Sequence, residues 1–182
     1  MSITKITGVS LMPVIHILKN LRPEDHEEMT AIHGIGWSAE RVADMIARLA
    51  VRSCGWIFWH EDHGPVSTLG AYPITPTCAG VWAFGTPGWR HVVLLMTRHV
   101  KRSMVPMLAR TGFHRAECRA LTKRADTARW LHLLGAAPEA VLSEFGTRRE
   151  DFTLFAWHAV DEQAPLPSRP ASRESLPLRN GG

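Results

Sequence analysis

The chain has 182 residues, a length that suits a single domain able to bury a sizeable core without metal or disulfide staples. Hydrophobic residues make up 45% and charged residues 21%, yet the longest aliphatic run is only Val92 to Met96, which excludes a membrane span of ~20 apolar residues. A net charge of +4, carried by 17 Arg and 4 Lys, is too mild to indicate nucleic-acid binding by itself.

The N-terminal MSITKITGVSLMP lacks the apolar centre and cleavage site of a signal peptide. Val14 to Leu18 alternates and predicts a first strand. Pro23 starts a helix through about Ile32, with Glu24, Asp25, Glu27 and Glu28 at its dipole-favoured beginning. Ser38 N-caps a second helix whose apolar stripe is Val42, Met45, Ile46 and Leu49. Gly55–His60 and Val66–Tyr72 read as a hairpin around the polar turn Glu61–Pro65, followed by an apolar strand over Gly80–Gly85. Thr86-Pro87 predicts the start of a long helix to about Arg110, kinked near Pro106. A strand over His114–Leu121 precedes a short helix over Ala125–Leu134, capped by Gly135, and Val141–Phe145 and Phe152–His158 form a closing pair. Residues 1–160 thus form the body. Residues 161–182 form a Pro-rich tail with four of the twelve prolines and no aromatic residue, expected to be extended.

The order β-α-α-β-β-β-α-β-α-β-β resembles the GNAT (Gcn5-related N-acetyltransferase) fold over residues 13 to 160, and ADTARWLHLLGA, Ala125 to Ala136, resembles that family's late helix. The resemblance implies an α/β (α+β) domain with a mixed central sheet flanked by helices. LRPEDHEEM, VWAFGT and RWLHLLG further resemble a phage-encoded branch that includes internal-virion-protein-type members of short-tailed phages.

The departures from the family pattern bear on function. The resemblance implies a Q/R-x-x-G-x-G/A loop whose backbone amides meet the coenzyme A pyrophosphate. This chain has Gly85-Thr86-Pro87-Gly88-Trp89-Arg90-His91 there, with one amide lost to Pro87 and a bulky Trp89 where phosphate would approach. The tyrosine acid that the family carries four residues before the helix-ending glycine is Leu131, and the asparagine seven residues earlier is Arg124. If acetyl-CoA binds, Ala83, Gly85, Gly88 and Arg90 are the cofactor-binding candidates, and Glu117 is the carboxylate to test for catalysis. No cofactor is otherwise expected.

His60-Glu61-Asp62-His63 has metal-binding side chains but hairpin-turn spacing, so a solvated turn is expected and no metal site. His91, Arg98, Lys101 and Arg102 read as a solvated helix face. Seven tryptophans are mostly core, with Trp89 placed to fill a vacated cofactor cleft or to meet a partner. Cys54, Cys78 and Cys118 are odd in number and lack CxxC spacing, which favours reduced, buried thiols in an intracellular setting.

The tail's Leu166, Leu176 and Leu178, with Arg169 and Arg173, are expected to anchor against another protein chain. Together these readings point to a virion-associated structural or assembly protein of a tailed bacteriophage, made in the bacterial host cytoplasm, with other virion proteins as partners. The alternative is a working N-acetyltransferase that moves an acetyl group from acetyl-CoA to an amine; a third reading is a protein that binds a host target.

Overall fold

A computed structural model of the protein describes residues 1–6, 11–50 and 54–158. Thirteen helices and strands follow one another: β1 (Ser2–Lys5), α1 (Met12–Lys19), α2 (Pro23–His33), α3 (Ala39–Ala50), β2 (Cys54–His60), β3 (Gly64–Pro73), β4 (Cys78–Gly85), α4 (Trp89–His99), α5 (Val105–Arg110), β5 (Arg115–Leu121), α6 (Ala125–Leu133), β6 (Ala137–Leu142) and β7 (Phe152–His158). A π-helical turn, Val100–Met104, joins α4 to α5.

The first predicted strand is a helix. Pro13 sits in the opening turn of α1, and Val14, Ile17 and Leu18 recur at i, i+3 and i+4, all but fully buried. The strand that opens the sheet is instead β1, which pairs antiparallel with β2 from Ser2 opposite Trp59 to Lys5 opposite Trp56. In α3 the buried stripe is Val42, Ala43 and Ile46, while Met45 faces outward at 42% exposure. The long helix begins at Trp89, three residues later than Thr86, and its irregularity lies ahead of Pro106. Proline has no N–H to give to a carbonyl four residues back, and the π turn absorbs that loss, with Val105 N–H bonding Val100 O. The strand placed at Val141–Phe145 begins earlier, at Ala137. After α6, Gly135 takes φ 94° and the Ala136 N–H closes back on Leu131 O at 3.0 Å, a left-handed cap that turns the chain straight into β6.

Among the described residues the sheet has seven strands in the order β1-β2-β3-β4-β5-β7-β6. Helices α1, α2 and α3 cover one face around Ile57 and Phe84, and α4 and α5 cover the other around Phe58, Val66 and Leu69. All pairs are antiparallel except β4 with β5, which run parallel and touch only through Cys78, Ala79 and Gly80 opposite Arg115, Ala116 and Glu117. Beyond Gly80 the two strands part, and everything of functional interest gathers in the gap. No described helix is long and apolar enough to cross a membrane.

Candidate functional site in the gap between β4 and β5

Backbone alternation decides what the gap can bind. The Thr86 N–H donates to Val66 O on β3 at 2.8 Å, so the amide of the preceding residue, Gly85, points the other way, into the gap. It is taken. Asp25 Oδ2 accepts it at 2.8 Å, and the Gly85 carbonyl accepts the Arg22 N–H at 3.0 Å. Asp25 and Glu28 lie three residues apart on α2 and share one face. Glu28 Oε2 accepts the Leu121 N–H from the end of β5 at 3.3 Å. Arg124, immediately before α6, holds the two carboxylates together: its Nη1 lies 2.8 Å from Asp25 Oδ1 and 3.2 Å from Glu28 Oε2, and its Nη2 lies 3.4 Å from Asp126 Oδ2. Arg22 Nε stands 2.9 Å from the Asp25 carboxylate. The open end of the gap is therefore closed by side chains from α2 and the α6 approach.

These charges are deeply placed, with Asp25 3% and Arg124 7% exposed. Burial raises the Glu28 pKa above the usual carboxylate range, with Arg124 and the Leu121 amide pulling it back. Burial also opposes the Arg124 charge, but Glu28, Asp25 and Asp126 together hold it above its ordinary value. A buried network of this kind is tolerable only because each charge has a counter-charge within hydrogen-bond reach.

The loop before α4 is spent in the same way. Gly88 N–H donates to Thr86 Oγ1 at 3.2 Å, Trp89 N–H to Thr86 O at 2.9 Å and His91 N–H to Gly88 O at 2.9 Å; Pro87 has no N–H. An anion arriving here meets few amides still seeking an acceptor. Trp89 is buried, packs edge-on against Trp130 with centroids 5.2 Å apart, and carries the Arg22 guanidinium 4.4 Å above its ring. A Cβ on Gly85 would lie 2.8 Å from Trp89 Cε3, so glycine here makes room for the indole.

Behind this plug the gap stays open as an apolar cavity of about 350 Å³. Ala83 and Leu131 line it, as do Ala116 and Cys118 of β5. Glu117 alternates to the opposite face, where Arg115 and Arg119 hold it at 3.0 and 3.2 Å. The structure thus places Ala83 on the cavity wall and Gly85 at the closed end of the gap, puts Gly88 and Arg90 on a separate pocket with His16, Asn20, His63 and His91, and leaves Glu117 outside the gap. Arg90 is exposed and turns aside to His91, its Nε 3.2 Å from Nε2. Burial pushes the Cys118 thiol up to about 12, which makes it a poor nucleophile. Cys54, Cys78 and Cys118 are all free thiols.

The sequence reading missed Asp25, Glu28 and Arg22 as members of this site. Their only signal was the acidic run that opens α2, which reads equally as dipole-complementing surface. The turn Glu61–His63 brings a third imidazole close, with His91 centred 5.1 Å from His60 and 4.9 Å from His63. Among the described residues no group of three or more His, Cys, Asp or Glu is placed to hold a metal ion. The expected partner anchors Leu166, Arg169, Arg173, Leu176 and Leu178 lie outside the described residues.

No protein-family model and no curated protein matches this sequence. Solved structures do. The ribosomal-protein-S5-alanine acetyltransferase of Vibrio fischeri superposes with a TM-score of 0.67 at 14% identity, over 90% of this chain and 94% of its own. The ribosomal-protein-alanine N-acetyltransferase of Brucella melitensis gives 0.65 at 13% identity, over 87% and 99%. A GNAT superfamily phosphinothricin acetyltransferase from Sinorhizobium meliloti, in complex with acetyl-CoA, gives 0.65 at 10% identity, over 96% and 97%. The chain has the GNAT acetyltransferase fold.

Proposed function

We propose that the chain is a GNAT-fold protein without acetyl transfer, serving as a structural or assembly subunit of a tailed-bacteriophage virion, with other virion proteins as its partners. One observation carries the loss of chemistry: the Asp25 carboxylate occupies the Gly85 amide, at the place where a cofactor-binding relative needs free backbone donors. At the position of the family's tyrosine acid stands Leu131, buried and unable to donate a proton. Fold outlasts chemistry because function resides in the site. The virion setting draws its support from the likeness of LRPEDHEEM, VWAFGT and RWLHLLG to the phage-encoded branch.

A second reading, an active acetyltransferase using acetyl-CoA, is favoured by the apolar cavity left between β4 and β5. Calorimetry with acetyl-CoA decides between them. Absence of binding at micromolar protein and ligand supports the first; micromolar affinity, roughly −8 kcal/mol, supports the second. Mass spectrometry of purified particles tests the virion assignment separately.

A further inference from the structure

The net charge of +4 is not spread along the chain. Between Asp62 and Glu117 the sequence holds no Asp or Glu and six Lys and Arg, while the rest carries 15 basic against 17 acidic residues. The excess arises wholly in that one stretch, and a segregated charge says more about partners than its total does.

The fold places these cations on the outward side of one helical rod. Trp89, Val92 and Met96 of α4, Val100 and Met104 of the π turn and Leu108 of α5 are buried in the core beneath it. Arg90, Arg98, Lys101, Arg102 and Arg110 are exposed along the same rod. None of these five enters an ion pair among the described residues, whereas Arg115, the sixth, is held by Glu117 and Glu139. Exposed cations elsewhere do pair, Lys19 with Glu40 at 2.6 Å and Arg48 with Asp44 at 2.8 Å.

Four of the five are Arg, whose planar fork meets phosphate oxygens in pairs. From Arg90 to Arg110 the rod advances ~30 Å, the length over which one strand of a DNA duplex presents about eight or nine phosphates at ~3.4 Å each. Other occupants of a cationic face fit less well. Protein interfaces keep charge away from their centres and seat aromatic or apolar anchors there; here Leu94 and Val105 are the only large apolar side chains exposed among the cations. A membrane-surface helix needs a free apolar face, and this one has its own against the sheet. Single strands are gripped by stacking on aromatic rings, and Trp89, the one Phe, Tyr or Trp of the rod, is buried.

We propose that the outward face of α4 and α5 binds the phosphate backbone of a nucleic-acid duplex, irrespective of base sequence, through Arg90, Arg98, Lys101, Arg102 and Arg110. Contacts to phosphates position a duplex without reading it. The proposal stands apart from the loss of acetyl transfer and from the virion assignment. A solvated face, the expectation from the sequence, is the competing account.

The test is fluorescence anisotropy of a fluorescein-labelled DNA duplex of about 20 base pairs, titrated with the full-length protein. Each phosphate contact contributes about −0.9 to the slope of log affinity against log salt, so five give about −4.5, a loss of roughly 500-fold in affinity between about 50 and 200 mM NaCl. The triple variant Arg98→Gln/Lys101→Gln/Arg102→Gln should flatten the slope to about −2 and weaken binding at the lower salt at least about tenfold. Arg41→Gln removes an exposed cation from α3, on the other face of the sheet, and should change neither. No binding at the lower salt, a triple variant that binds like the parent, or a loss per charge in Arg41→Gln equal to that in the triple variant overturns the proposal. So does a spread beyond about fivefold among duplexes of unrelated sequence. Displacement of the duplex by poly-L-glutamate at matched charge concentration also overturns it and assigns the face to an acidic protein.

Discussion

Asp25 and Arg124 lie 99 positions apart in sequence and meet in the protein interior, Oδ1 to Nη1, at 2.8 Å. Their pairing joins the helix that follows the first connection to the residue that opens the last helix. It also holds the Asp25 carboxylate against the Gly85 amide, which donates to Oδ2 at 2.8 Å.

Removing Arg124 should therefore be severe. Arg124→Ala leaves Glu28 buried without its counter-charge and Asp25 with Arg22 alone, and a broken buried pair costs about 3–5 kcal/mol. Urea denaturation followed by far-UV circular dichroism measures the loss. A change below about 1 kcal/mol would show that the network contributes little to stability.

Trp89→Ala should cost about 3–5 kcal/mol, the usual penalty for truncating a buried tryptophan. It should not confer acetyl-CoA binding, because Asp25 still holds the Gly85 amide and Pro87 still lacks an N–H. Thermal unfolding checks the first outcome and calorimetry the second.

Leu131→Tyr alone should produce no acetyl transfer to amines. General acid catalysis contributes ~10²–10⁴-fold, and it acts only on a bound thioester. The assay is release of free coenzyme A, followed with the parent protein in parallel. Turnover seen only in the variant would mean that the loop before α4 accepts the cofactor after all.

The acid side of the stability curve should carry the signature of Glu139. Hydrogen bonds from Arg115, at 2.5 and 2.9 Å, and from His158 hold its pKa down to about 2. A carboxyl depressed on folding contributes stability that is present above its unfolded value, 4.5, and is lost as the pH falls toward 2. The parent and Glu139→Gln should thus differ at pH 6 and converge near pH 2, as read from denaturation midpoints. Glu28, raised on folding, has the opposite slope, its contribution falling as pH rises through its folded-state value.

Much of the fold was legible because local chemistry and final packing agree. Pro23 starts a helix, Gly135 ends one, and the apolar runs read as β2 through β4 are central strands with both faces covered. The α1 segment misled because Val14 to Leu18 is short, and five residues of apolar pattern fit a period of 2 or of 3.6; Pro13 was the better guide. β1 escaped because SITK has only one half-buried residue among four and so gives almost no pattern to read. The plug was illegible for a different reason. Asp25 and Glu28 read as helix-start acids from any local window, and only a partner almost a hundred residues away makes them interior residues. Pro87, Trp89 and Leu131 were easier to single out, since each departs from the family pattern at one position of the sequence.

The short parallel seam between β4 and β5 also sets the order in which this molecule comes together. β2, β3 and β4 form a meander of near neighbours in sequence, and β6 and β7 are likewise joined locally. The two portions are united by three residue pairs of the sheet, by the bridges from Arg124 and Leu121 to α2, and by Trp130 and Trp157 packed on the core beneath α4. Contacts spanning such lengths of chain must close large loops before they return any stability, which places them late on the folding path. On the ribosome α2 emerges well before Arg124, so its carboxylates stay hydrated until the C-terminal strands arrive. The bridge from Arg124 to α2 is the keystone of this fold, set last and locking the arch.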